Sequence, residues 1–238
     1  MEIKRYLIAM DPGKKQDPAT IQVYKAMPTL INPDPLLAEP GRIIIHDDLV
    51  MQYSIQEKRY TDLVAFLYDL MNRRSLKDNS VLVFDATGVG EAVKDMLHDR
   101  HVRSMVPIVY TSGGRVTPVY QDGGDRRFGS QAMALKILEE IHVPKNDMVD
   151  AARIAMEQHQ VRVVPGVPGT EDFHTQLREF TGRMTSKGYI SYNNSSDDVH
   201  DDKVNCFMMR CWYRRYLGEQ YLRMYDSSAD DQETVSIM

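Results

Sequence analysis

Apolar residues recur along this chain with two periods, and the change between them divides it into segments. Tyr6 to Met10 is a short apolar run that ends at Asp11 and the turn pair Pro12-Gly13, the pattern of a buried strand. Ala19 to Lys25 alternates and is β-branched, so a second strand is expected to pair back on the first. A stretch with Pro28, Pro33, Pro35 and Pro40 reads as a loop, and Gly41 to about Gln52 as a third strand of an antiparallel meander. From Ser54 the period lengthens. Leu63, Phe66, Leu67, Leu70 and Met71 recur at three and four residues, which predicts an amphipathic helix from about Ile55 to Arg74. A strand at Val81–Asp85, a helix from Gly88 to about Arg100 and a strand from Val102 to Tyr110 follow with short connections. Such βα units imply a parallel half-sheet.

Thr111 to Gly129 lacks either period and holds five glycines with Arg115, Arg126 and Arg127, so it is expected to be a functional loop. Beyond it the pattern predicts helices at Ser130–Ile141 and Asp147–Gln158, a short strand at Val161–Val164 and a helix at about Glu171–Thr181. A hairpin centred on Lys187-Gly188 and a last helix from Asp201 to Tyr225 complete the series. There is no internal repeat. One domain is expected over 1–225, with a flexible acidic tail over 226–238.

Composition narrows the field. The chain has 238 residues, 42% of them apolar and 26% charged, which suits a globular domain with a sizeable core. No apolar run approaches the ~18 residues a spanning helix needs, so no membrane is expected, and the opening residues carry no signal-peptide segment. Cys206 and Cys211 cannot make a disulfide framework, in keeping with a reducing cytoplasm. The net charge of −5 offers no general basic field. Contact with nucleic acid would then need local basic groups or bound metal.

Acids stand at the ends of elements. Asp11 closes the first strand, Asp85 closes the fourth, and Asp201-Asp202 opens the last helix. Ligands of α/β sheets bind in the crevice beyond the carboxyl ends of strands, so Asp11 and Asp85 are placed to face one site. Asp201 is in helical phase with Val204, Met208 and Cys211, the stripe expected to face the sheet. Gathered carboxylates repel unless a cation lies between them, and hard oxygen ligands suit Mg²⁺ or Mn²⁺. Each acid also has an ordinary reading: a turn former before Pro-Gly, or an N-cap at a helix start.

Asp11 with its turn, Val83-Phe84-Asp85-Ala86-Thr87-Gly88-Val89-Gly90, and His200-Asp201-Asp202-Lys203-Val204 resemble the nuclease domain of the large terminase subunit of tailed bacteriophages. Leu177-Arg178-Glu179-Phe180 followed by a hairpin is similar to that family's closing region, and the resemblance covers about residues 3–217. It implies an RNase H-like α/β fold: a mixed sheet of three antiparallel strands followed by parallel βα units, with helices on both faces. It also implies a metal-dependent endonuclease that cuts concatemeric double-stranded viral DNA during genome packaging. Carried over, Asp11, Asp85 and Asp201 match the metal-binding acids, while Asp202 and Asp17 match assisting positions. Two Mg²⁺ or Mn²⁺ ions are implied, and no nucleotide. The expected partners are DNA, the packaging ATPase domain, the small terminase subunit and the portal, in the host cytoplasm and not in the mature virion. The chain departs from the full family protein in having no Gly-x₄-Gly-Lys-Ser/Thr loop, and Gly88-Val89-Gly90 has neither the lysine nor the spacing to cradle a triphosphate. It is therefore read as the nuclease domain without the ATPase.

Other motifs carry less. His98 and His101 lack a third ligand in register, and Cys206 and Cys211 have the pattern of core residues. His200 stands beside the acid pair and is a candidate phosphate contact. Arg115, Arg126, Arg127 and Lys187 lie in glycine-containing turns that can close along a phosphate backbone, whereas Arg73-Arg74-Lys77 and Arg210-Arg214-Arg215 read as helical faces. Two competing functions remain from the residues. One is a non-catalytic DNA- or portal-binding module of the same fold. The other is an actin- or sugar-kinase-like phosphotransferase, disfavoured because Lys14-Lys15-Gln16-Asp17 stands where a phosphate turn belongs.

Overall fold

A computed structural model describes residues 4–13, 17–31, 42–56, 59–102, 104–122, 136–184, 190–194 and 200–233. The opening meander is as the alternation predicts. Strand β1 (Tyr6–Asp11) pairs antiparallel with β2 (Ala19–Ile31), and β2 with β3 (Arg42–Ile55). Strand β2 runs six residues past Lys25, through Pro28. Beyond Ala26 its hydrogen-bonded neighbour among the described residues is β3, and Pro28, which lacks an N–H, needs no partner on the other side. Helix α1 (Tyr60–Met71) starts later than expected because β3 continues to Ile55, opposite Ala19.

Strand β4 (Ser80–Asp85), helix α2 (Val89–Asp99) and strand β5 (Met105–Thr111) form the parallel units, with β4 beside β1 and β5 beside β4. Two expectations fail in the next segment. Part of the expected loop is strand β6 (Thr117–Asp122), and the described part of the expected Ser130–Ile141 helix is strand β7 (Lys136–Pro144). Ile141 pairs with Ile108 of β5 and Val119 with Glu140, so partners on both sides draw a helix-compatible sequence into the sheet. Helix α3 (Lys145–Glu157), β8 (Val161–Val163), α4 (Thr170–Glu179) and the hairpin β9 (Phe180–Met184) and β10 (Ile190–Asn194) then follow. Helix α5 (Asp202–Glu233) runs eight residues into the segment expected to fray, where no Gly or Pro interrupts it.

The sheet order is β6-β7-β5-β4-β1-β2-β3-β8. Helices cover both faces. Leu7, Ala9, Val81, Val83, Val106 and Ile108 pack with α3, α4 and α5, while Ile8, Met10, Leu82 and Phe84 pack with α1 and α2. None of the described helices is long and apolar enough to cross a membrane. The start of α5 is buried nearly all round from Val204 to Tyr213, which explains why its sequence shows so little amphipathic contrast.

Candidate active site

Strand geometry decides where the acids point. Side chains alternate along a strand, so Asp11 follows Leu7 and Ala9 onto the α5 face, and Asp85 follows Val81 and Val83. Strands β1, β4, β5 and β7 are mutually parallel, so their carboxyl ends share one rim. Asp11, Asp85 and Tyr110 reach that rim, as does Lys145 at the start of α3. Asp201 and Asp202 are delivered there by the start of α5.

Local turns hold each acid. Asp11 Oδ1 accepts the Gly13 N–H at 3.0 Å, and Gly13 has φ of +64° in a turn so tight that a Cβ would meet the Pro18 carbonyl oxygen at 2.7 Å. Asp85 Oδ1 accepts the Thr87 N–H at 2.8 Å, while Thr87 Oγ1 accepts the Tyr110 N–H at 3.1 Å. Gly90 lets α2 pack against the strand end, because a Cβ there would lie 2.0 Å from the Asp85 carbonyl oxygen. The Gly88-Val89-Gly90 segment therefore serves to seat Asp85. Asn205 Nδ2 ties the rim together by donating to Asp11 Oδ2 at 3.0 Å and to Asp201 Oδ1 at 3.4 Å.

The acids feel one another. Burial, aided by the Asp11 charge, pushes the Asp85 carboxyl up to about 6. Burial and the charges of Asp11, Asp201 and Asp17 push Asp202 up to about 7. Asp11 is raised by burial, and the Asp201 charge adds to the effect. Lys203 lowers Asp202, and Lys145 is a second neighbouring cation. Its Nζ lies 3.8 Å from Asp201 Oδ2, donates to the Tyr192 carbonyl at 2.9 Å and stands 5.8 Å from the Phe180 ring centre. Lysine 145 lowers Asp11 and Asp85 without cancelling the burial effect on either.

The structure thus brings together Asp11, Asp85, Asp201, Asp202 and Asp17. Asp17 lies at the outer side, with its Oδ1 3.7 Å from His200 Nδ1. Arg115 is exposed in the connection that leaves the carboxyl end of β5, on the same rim as Asp85. Arg126, Arg127 and Lys187 lie outside the described residues. Sequence reading missed Lys145, Asn205 and Tyr110. Asn205 had a signal, since it stands four residues after Asp201 and so on the same helical face. Lys145 had none, because its placement depends on β7 being a strand.

Among the described residues, no three His, Cys, Asp or Glu side chains already form a metal cage. The donor set nevertheless fits a hard divalent cation. Its atoms are carboxylate and amide oxygens, and of three buried side-chain polar atoms without a partner among the described residues, Tyr110 Oη and Asn205 Oδ1 belong to this region. Two unsatisfied polar groups beside mutually repelling carboxylates are a setting that a divalent cation with its waters would suit.

No family model matches the sequence, and no curated protein does. The fold does have solved counterparts. The large terminase nuclease from thermophilic phage G20c superposes with a TM-score of 0.52 at 19% identity, over 87% of this chain and 80% of that one. The same nuclease with bound magnesium gives 0.52 at 18% identity, over 89% and 82%. With bound cobalt it gives 0.51 at 18% identity, over 87% and 80%. The chain therefore shares the RNase H-like α/β fold of these nuclease domains, as the sequence resemblance implies.

Proposed function

We propose that this chain is a divalent-metal-dependent endonuclease that cleaves double-stranded DNA during viral genome packaging, in the manner of a large terminase nuclease domain. The observation that carries the reading is the gathering of Asp11, Asp85, Asp201 and Asp202 on one rim, with Lys145 beside them, in a fold whose solved counterparts include magnesium- and cobalt-bound forms. Asp11, Asp85, Asp201 and Asp202 would hold two Mg²⁺ or Mn²⁺ ions, with Asp17 orienting a ligand or water. Bound there, the ions supply an activated water and stabilise charge on the leaving oxygen. The protein's own part is to fix these oxygens through the Gly13 and Thr87 N–H groups and the Asn205 amide. Lys145 is aimed at the same rim and can meet a phosphate oxygen once the acids are engaged.

DNA contact falls to Arg115 and His200, together with Arg126, Arg127 and Lys187. Because these groups meet the backbone, binding should show little sequence preference and weaken steeply with salt. The packaging ATPase domain, the small terminase subunit and the portal are the further partners of this reading, and the host cytoplasm its place.

A plasmid-nicking assay with Mg²⁺, Mn²⁺ and EDTA tests it, alongside gel-shift binding. The parent should nick only with metal. Asp11→Asn should lose cleavage by orders of magnitude while its DNA affinity stays within a few-fold, because phosphate-contacting cations set affinity. Equal rates for parent and variant would remove Asp11 from the mechanism. Metal-independent DNA binding without any cleavage would instead identify a binding module.

A further inference from the structure

Asn205 sits one helical turn after Asp201, only 7% exposed, with the two ends of its amide treated very differently. Its Nδ2 donates to Asp11 Oδ2 at 3.0 Å and Asp201 Oδ1 at 3.4 Å, whereas its Oδ1 is buried without a partner among the described residues. The polarity of the groups explains this. Ionised carboxylates only accept, so the amide must turn its donor end to them, and its acceptor end is stranded. A stranded buried oxygen is unfavourable, and native structures keep few of them.

A divalent cation reverses the preference. Once a cation lies between Asp11 and Asp201 it satisfies both carboxylates, and the amide N–H groups then point at positive charge. A half-turn about the Cβ–Cγ bond exchanges nitrogen and oxygen while leaving the outline of the side chain almost unchanged. The exchange relieves the repulsion and gives the stranded oxygen a ligand role, for which amide oxygens are suited. No covalent bond is made or broken: the two hydrogen bonds to the carboxylates are lost and one oxygen–cation contact is gained.

We propose that Asn205 is a metal-responsive member of this site: its amide nitrogen bridges Asp11 and Asp201 when no metal is bound, and its amide oxygen joins the ligand set when metal enters. The inference deepens the reading above and rests on its claim that these acids bind divalent ions. It adds a residue that no acid-based motif would flag, and it explains how two carboxylates are held together in the absence of metal.

The test measures Mn²⁺ binding by calorimetry on the whole chain, for the parent, Asn205→Asp and Asn205→Leu, with circular dichroism confirming that each is folded. Replacing a ligand or its close support commonly changes metal affinity by about 10–100-fold. Asn205→Leu should bind Mn²⁺ more weakly by about that factor, and Asn205→Asp, with a charged oxygen in the same place, more tightly. In the parent, the Asn205 side-chain NH₂ resonance, assigned by its loss in the variants, should shift on adding Mg²⁺ as its hydrogen bonds to the carboxylates are broken. Mn²⁺ affinities within about twofold across all three proteins, with an unmoved resonance, would overturn the proposal and leave the metal site standing. A parent that binds no Mn²⁺ would overturn both. If Asn205→Leu does not fold, Asn205→Asp and the resonance decide alone.

Discussion

Helix α5 carries two clusters of buried charge, and they are built on opposite principles. At its start, Asp11, Asp85, Asp201 and Asp202 are gathered with Lys145 beside them, and burial with mutual repulsion raises Asp85 to about 6 and Asp202 to about 7. Farther along, Asp47 of β3 is fully buried and receives Arg210 Nε at 2.8 Å and Arg214 Nη2 at 2.9 Å, with Arg210 Nη2 also bonded to it. Burial pushes the Asp47 carboxyl up, but the two arginines outweigh it and hold it below its ordinary value. The strand partners of Asp11 and Asp47 are six residues apart on β2, about 20 Å of strand. The comparison separates two uses of a buried carboxylate. One surrounded by arginines is part of the frame, whereas one left among other carboxylates is open to the cation that the proposed function assigns to it. It also refines the sequence reading of Arg210 and Arg214 as part of a helical face, since that face turns inward and both arginines bind Asp47.

The largest expected effect lies in the frame. Asp47→Asn should destabilise the fold by about 3–5 kcal/mol, because two guanidinium groups lose their counter-charge, one of them almost fully buried. Thermal unfolding measures this, and a loss under about 1 kcal/mol would make the cluster dispensable. The same neutralisation at the other cluster should act in reverse. Asp85→Asn should raise the melting temperature of the metal-free protein by relieving repulsion, yet shrink its response to Mn²⁺.

Next in size is metal itself. An ion at a hundredfold excess over its Kd adds about 2.7 kcal/mol if it binds only the folded state. For a chain of this length that is on the order of 5–10 °C in melting temperature. A melting curve indifferent to millimolar Mn²⁺, in parent and Asp85→Asn alike, would dissolve the contrast between the clusters.

A further comparison is the pH dependence without metal. Folded carboxyls titrating near 6 and 7 keep protons that unfolded ones, at the ordinary 3.8, have already released. The folded state thus binds more protons in this window, and stability should fall as pH rises from about 4 to 7. Asp47, held low, acts in the opposite sense and only below about pH 4, where protonation removes its attraction to the arginines. Chelator-treated protein unfolded across this range should show the decline, and Asp202→Asn should flatten it. A rise in stability from pH 4 to 7 would contradict the placement of these acids.

The acids were legible before the structure because each ends an element. Asp11 and Asp85 follow odd-numbered core residues on strands whose apolar runs are unmistakable, so strand ends and direction could be read locally. The strand nature of residues 136–144 could not. Ile137, Leu138 and Ile141 suit a helix as well as a strand, and only pairing with β5 and β6 decides.

By itself the sequence determined the meander, the βα units and the acids at their ends, because hydrophobic period and turn chemistry act over a few residues. Tertiary structure decided which charges meet. Asp47 and Arg210 are 163 residues apart, and Asp11 and Asn205 are 194 apart, so no local pattern could pair them. Whether a buried carboxylate meets arginines or other carboxylates depends on which elements pack across it, and that is settled only when α5 closes on the sheet.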